Sequence, residues 1–445
     1  MAKRVFVAEV AQWIQQLSSV LHQANAWRLA AVLWGMLFSR GRRTVACWLR
    51  TAELGNDYQD YYYFLGSLGR NVNQVAGALL RSAVQVLCPG DRLLFGIDDT
   101  PTKRYGPQVE GAGIHHNPTP GPAEQKYLYG HVWVTLAWLV RHACWGTIGL
   151  PLLAFLYVRR VDVGDIPPGY RVKFQTKLEQ AAALLEWLAV WLKILGKNLW
   201  VVVDGAYIKR PFLKRAAKAG ATVVGRLRKD AALWSVPVPV PPSRRRRGAP
   251  RKYGKDRISL AKRAGHRRGW TQDRFSLYGQ ETLTCYKTFL ATYKPASGLI
   301  RVVLVREDNG AWRAYMCTEA KATVAEILEA VADRSAIEQN FHGIKEVHGA
   351  GQQQLRNYWA NIAAYHLNMW LHTLIELWAW HKAKRVLVDR NASPWDDAAR
   401  RPSHADRRNA LRRQCLQEEF QRGPAAGRMR GKIRWAFCRL MKLAA

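Results

Sequence analysis

Three carboxylates stand out in a chain of 445 residues that carries 68 Lys and Arg against 33 Asp and Glu. Asp98 closes the apolar run Leu93-Leu94-Phe95-Gly96-Ile97, and Asp204 closes Leu199-Trp200-Val201-Val202-Val203. Both runs have the length and apolarity of buried strands. Glu338 lies in a stretch, 333–348, whose pattern predicts a helix. Carboxylates at two strand ends, joined by a third from a helix, form a hard oxygen donor set. Such a set holds divalent cations and leaves positions for water or phosphate oxygens. On the same helix Arg334, Glu338 and Lys345 are spaced by four and seven residues. At about 100° per residue they share a stripe of roughly 40°. An acid able to ligate metal is thereby flanked by two cations able to grip phosphates.

The elements that must position these residues follow from periodicity. Residues 1–88 read as helical, with Val10, Trp13, Ile14, Leu17 and Leu21 at helical spacing and Leu29, Val32, Leu33 and Met36 repeating it. The turn Gly41-Arg42-Arg43 before a short helix predicts half of a helix-turn-helix that contacts DNA. From Asp91 the pattern becomes α/β. Strand 91–97 is followed by strand-like segments near 127–138 and 147–158 and a helix from Phe174 to Leu195. Strand 199–203, helix 208–218 and strand 221–226 complete it. Three strands, helix, strand, helix, strand is the order of a ribonuclease H-like core. In that fold the first and fourth strands are neighbours, so Asp98 and Asp204 lie side by side.

The expected organisation is a helical DNA-binding region at 1–88 and a ribonuclease H-like core at 89–226, resumed at 319–380 with the Glu338 helix. A β-rich basic insertion occupies 227–318, and a basic helical tail 381–445. Positive charge is concentrated in two of these parts. Residues 226–268 hold fifteen Lys and Arg against two acids, and residues 381–445 hold seventeen against six. Of the net +35, these two stretches supply 13 and 11. In Arg244-Arg245-Arg246-Arg247-Gly-Ala-Pro-Arg251-Lys252, prolines flank the arginines, excluding helix and favouring a loop that tracks a phosphate backbone. Nucleic acid is the expected partner.

Seven scattered cysteines with no C-x2-C pair exclude a zinc ribbon and a disulfide framework, and fit a reducing cytosol. The N-terminus lacks an uninterrupted apolar signal core. The apolar region Val132–Val158 is broken by Arg141-His142, Gly146, Gly149 and Pro151, as two buried strands are and a membrane span is not. The expectation is a cytoplasmic, nucleoid-associated protein without a membrane partner.

The motif Arg334-x3-Glu338-x6-Lys345 resembles the R-x3-E-x6-K signature of bacterial insertion-sequence DDE transposases. Asp98-Asp99-Thr100 is similar to the family's first-aspartate motif D-x-T, and Val203-Asp204-Gly-Ala-Tyr207 to its second. The resemblance covers roughly residues 40–380, including a β-rich insertion before the glutamate. It departs at Val331, where the family often has Tyr. The resemblance implies two Mg2+ ions, replaceable by Mn2+, held by Asp98, Asp204 and Glu338. It also implies cut-and-paste transposition of double-stranded DNA, with element terminal inverted repeats cleaved and joined to target DNA inside a homodimeric synaptic complex. A ribonuclease H-like nuclease without strand transfer and a non-catalytic DNA-binding remnant are the alternatives.

Other residues carry weaker expectations. Asp99 adjoins Asp98, but strand alternation sends the two to opposite faces. Asp98 shares its face with Thr100, as D-x-T requires, and is the expected ligand. His115 and His116 point apart in an extended chain and do not chelate one ion. His342 comes near the cleft, yet packing is the expected role for it and for His348. Gln352 to Asn357 offers amides to DNA. For Trp270 and Trp312 the resemblance implies base stacking by an aromatic from the insertion, although most of nineteen tryptophans belong to the core.

Overall fold

The helical periodicity of the first ninety residues becomes five helices: α1 (Ala8–Ser18), α2 (Gln23–Phe38), α3 (Val45–Thr51), α4 (Tyr58–Arg70) and α5 (Val72–Leu87). Their apolar stripes do not close on themselves. Phe6, Leu33, Trp48, Phe64 and Leu79 belong to one apolar cluster that continues through the sheet and on to Cys415. In the computed structural model, residues 6–117, 125–238, 251–389, 395–397 and 399–421 are described.

The strands are β1 (Arg92–Lys103), β2 (Gly113–His116), β3 (Tyr127–His142), β4 (Gly146–Tyr157), β5 (Asn198–Val203) and β6 (Thr222–Leu227). Then come β7 (Leu233–Trp234), β8 (Arg257–Ile258), β9 (Thr271–Leu277), β10 (Gln280–Tyr293), β11 (Gly298–Arg306) and β12 (Trp312–Cys317). Helices α6 (Lys177–Ile194) and α7 (Arg210–Lys218) flank β5, and α8 (Leu260–Gly265) precedes β9. After β12 come α9 (Val324–Asp333), α10 (Ser335–His342), α11 (Tyr358–Ala379), α12 (Lys384–Leu387) and α13 (His404–Gln421).

Among the described residues one mixed sheet of twelve strands results. β4, β3 and β1 form an antiparallel meander, and β1 then pairs parallel with β5 and β5 with β6. The spatial order β4-β3-β1-β5-β6 therefore makes the first strand and the strand after α6 direct neighbours. The described residues of 227–318 hold strands β7 to β12, and these join the same sheet. β12 pairs antiparallel with β6, Cys317 opposite Val224, so the segment extends the central sheet. That pairing satisfies the backbone of β6, which would otherwise be a bare edge.

Two boundaries differ from the sequence reading. β1 runs six residues past Ile97, because β3 stays beside it from Asp98↔Thr135 to Lys103↔Gly130 after its parallel partner β5 has ended. Asp98 thus lies within a strand. The expected single helix over 333–348 is instead α9, a joint at Arg334, α10, and a π-helical turn at Gly343–Val347. A Cβ on Gly343 would meet His372 Cε1 at 2.8 Å, so this turn lies against α11 where only glycine fits.

The sheet has two apolar faces. Phe95, Ile97, Val201 and Val203 point into the large cluster with α6 and α11, whereas Trp200, Val202 and Val224 pack with Ile327, Leu328 and Ile337 of α9 and α10. α11 is buried along almost its whole length, which accounts for its apolar residues on every side.

Candidate active site

Alternation along the paired strands decides what faces what. In the parallel register Ile97 lies opposite Val203, so Asp98 follows in β1 and Asp204 directly after β5. Ile97 and Val203 face the large cluster. Their successors therefore turn to the opposite face, the one covered by α9 and α10. Gly96 lies under that cover: a Cβ there would come within 2.1 Å of Ile337 Cδ1. Its missing side chain lets α10 descend onto β1 and brings Glu338 beside Asp98.

Arg334 joins the two acids. Its Nη1 donates to Asp98 Oδ2 at 2.6 Å, and its Nη2 lies 3.6 Å from Glu338 Oε1. The Asp99 backbone N–H donates to Asp98 Oδ1 at 2.9 Å. Burial raises the Asp98 carboxyl to about 6, helped by the negative charges of Asp99 and Asp204 and opposed by Arg334 and the backbone N–H. Concentrated negative charge of this kind favours a cation, and Arg334 supplies one. Glu338, 68% exposed, projects into a cleft of about 750 Å³ lined also by Asp98, Lys103, His342, Lys345 and Gln352.

Asp98, Asp204 and Glu338 do not bring their oxygens within 4.8 Å of one another; among the described residues only His348, His372 and His404 form such a trio.

Asp99 has different partners. Its Oδ2 accepts from Lys177 Nζ at 2.6 Å and its Oδ1 from the Tyr207 hydroxyl at 2.8 Å. Lys177 begins α6 and Tyr207 lies in the turn after Asp204, so Asp99 ties both to β1 while also lining the cleft with Asp98 and Glu338. Burial, together with the charge and hydrogen bond of Asp99, drives the Tyr207 phenol well above its usual range and keeps it a donor. Neither partner is signalled near Asp99 in the sequence.

The remaining expected residues fall into separate places. Lys345 lies on the π turn yet still lines the cleft with Glu338. Arg251 and Lys252 are exposed. Arg244, Arg245, Arg246 and Arg247 lie outside the described residues. His115 is buried and His116 exposed, pointing apart as alternation requires. Gln352 accepts from the Arg43 backbone N–H at 2.9 Å, and Gln353 is buried and donates to Gly349 O, so these two amides serve the fold. Trp270 is flanked by Lys287 and Arg306, 4.7 and 4.1 Å from its ring centroid, and Trp312 lies 5.0 Å from Lys229. Val331 packs with the α9–α10 cluster.

The family model for the DDE superfamily endonuclease matches residues 16–272, more than half of the chain. The chain belongs to the DDE superfamily. A second model, the transposase DDE domain, matches residues 175–374 and so takes in both Asp204 and Glu338. This DDE protein is a DNA transposase, an endonuclease and polynucleotidyl transferase, and enzymes of its superfamily use divalent metals. No curated protein matches it. Among solved structures it is similar to a piggyBac transposase synaptic complex with hairpin DNA, at 9% identity and a TM-score of 0.36, over 98% of this chain and 82% of that one. No described helix is long and apolar enough to cross a membrane.

Proposed function

We propose that this transposase holds two Mg2+ ions, replaceable by Mn2+, between Asp98, Asp204 and Glu338 on a ribonuclease H-like core. With them it cuts the ends of a mobile element and joins the freed 3′-hydroxyls to target DNA. The observation that carries the reading is the parallel β1–β5 pairing, with Asp98 in β1, Asp204 directly after β5, and Arg334 between Asp98 and Glu338. Supporting it, the order β4-β3-β1-β5-β6 with α6 between β4 and β5 is the ribonuclease H-like arrangement.

Divalent cations there would neutralise charge gathering on the reacting phosphate and lower the pKa of the attacking hydroxyl. The protein's own groups do the rest. Glu338 and Asp98 present oxygens across the cleft, and Lys345 offers a cation to a non-bridging phosphate oxygen. Arg334 holds the two acids in register before DNA arrives and is free to engage a phosphate once cations take its place. The R-x3-E-x6-K spacing supports the bacterial insertion-sequence group. Residues 1–88, the basic segment with Arg244–Arg247, Arg251 and Lys252, and the basic tail supply DNA contacts. Synapsis of two element ends calls for a homodimer.

The test is incubation of the protein with DNA carrying its element ends, in Mg2+, Mn2+ or EDTA, with a supercoiled plasmid as target. The reading expects metal-dependent end cleavage followed by end joining into the plasmid. Cleavage with no joined product would leave a nuclease, and neither product would sink the reading.

A further inference from the structure

Beside the catalytic cleft lies a second cavity of about 530 Å³ whose lining includes Arg42, Arg104 and Arg356 and not one carboxylate. Tyr105 and Gly351 line both spaces, so the two adjoin. The three arginines come from separate elements. Arg104 directly follows β1, Arg42 sits in the turn before α3, and Arg356 lies just before α11. The turn bearing Arg42 is fixed to the cleft wall by the Arg43 N–H on Gln352 Oε1, at 2.9 Å.

Arg104 is the unusual member. It is only 6% exposed, and its Nη1 is buried without any hydrogen-bond partner. An unpaired donor of a charged group is costly to bury and calls for an explanation, a water or an ion among them. The side chain is nevertheless held firmly. Its Nε donates to His131 Nδ1 at 3.0 Å, which leaves the proton of a neutral imidazole on Nε2, 3.0 Å from the Glu110 carbonyl oxygen. Burial, then the charge of Arg104, keeps His131 neutral by pushing its pKa well below the usual value. A buried histidine with both nitrogens engaged thus aligns a guanidinium that has no counter-ion among the described residues.

We infer that the Arg42–Arg104–Arg356 cavity is a binding site for a backbone phosphate of the DNA whose cleavage occurs at Asp98, Asp204 and Glu338. Arg104 is six residues from Asp98 along extended chain, about 20 Å at roughly 3.3 Å per residue. That span is shorter than one turn of duplex, about 34 Å, so one DNA molecule reaches both places. The planar guanidinium matches the geometry of phosphate oxygens, and three cations without an acid favour an anion over a neutral ligand. The site rests on the function proposed above, and it supplies a grip on DNA away from the reacting phosphate.

The experiment measures affinity for a random-sequence duplex across a salt series, using the full chain, the exposed-residue variant R42A/R356A and the buried-residue variant R104M. Each lost phosphate contact flattens the plot of log affinity against log salt by about 0.9. The double variant is expected to lose about one to two units of slope and R104M about one. Because R104M removes a buried side chain, its thermal melt is recorded alongside, and R42A/R356A keeps the test decisive if R104M unfolds. Unchanged slope and affinity in the double variant would overturn the site. Failure of the unaltered chain to bind or cut element-end DNA would instead overturn the functional reading, so the two failures are distinct.

Discussion

The Tyr207 hydroxyl donates to Asp99 at 2.8 Å, while Asp98, one residue earlier, is held by Arg334 on the other face of the strand. The proposed site therefore gives the two neighbouring acids separate tasks. Asp98→Asn is expected to abolish element-end nicking with little loss of stability. Asp99→Asn should retain measurable nicking but unfold more easily, by about 1–3 kcal/mol, because it weakens hydrogen bonds to Lys177 and Tyr207. Nicking assays paired with thermal melts check this; a stable, inactive D99N beside an active D98N would reverse the assignment.

Gly96 is where α10 meets the sheet. Gly96→Val is expected to lower stability by about 1–3 kcal/mol through overpacking against Ile337, and to displace Glu338 enough to slow nicking. The double variant G96V/I337A should regain part of both. Denaturant unfolding and nicking rates provide the readout, and a G96V chain with normal values for both would show that the close approach is not needed.

Arg334 bridges Asp98 and Glu338 where divalent cations are proposed to sit. Arg334→Ala should tighten Mn2+ binding by the DNA-free protein roughly tenfold, the equivalent of about 1.4 kcal/mol, because the cation no longer displaces a guanidinium. It should also weaken DNA binding. Titration calorimetry with Mn2+ decides, and looser binding in R334A would mean that the arginine organises the acids for metal.

How much of this was legible in the chain depends on the range over which each signal acts. Asp98 and Asp204 end uninterrupted apolar runs, and the order of elements fixes which strands adjoin, so their pairing followed from local pattern plus topology. The role of Asp99 did not, since Lys177 and Tyr207 are 78 and 108 residues away. The extension of β1 past Asp98 depends on pairing with β3, and the π turn under Lys345 depends on His372 against Gly343. Alternation in 227–318 announced strands but not their sheet, because edge pairing between β12 and β6 leaves no mark in either strand. Arg104 looked like one more basic residue until its burial and its bond to His131 were seen.

Glu376 makes stability depend on acid pH. Burial raises its carboxyl, but the charge of Arg407 and the hydrogen bond from His404 outweigh this and bring it down to about 2 from 4.5. A carboxyl with a lower pKa when folded stabilises above its unfolded value, and that contribution disappears as pH falls from about 4.5 towards 2. Glu376→Gln should cost about 3–5 kcal/mol at neutral pH by stranding buried Arg407, and its melting temperature should fall less than that of the unaltered chain in this acid range. Parallel melting curves of equal slope against pH would contradict the account.

The central claim, that three distant carboxylates serve one cleavage centre, is tested most directly by Glu338→Gln on element-end DNA in Mg2+. At protein concentrations that saturate the DNA, the account predicts binding equal to that of the unaltered chain and no nicked product. A variant that still nicks at a comparable rate would remove Glu338 from the chemistry and contradict the site described here.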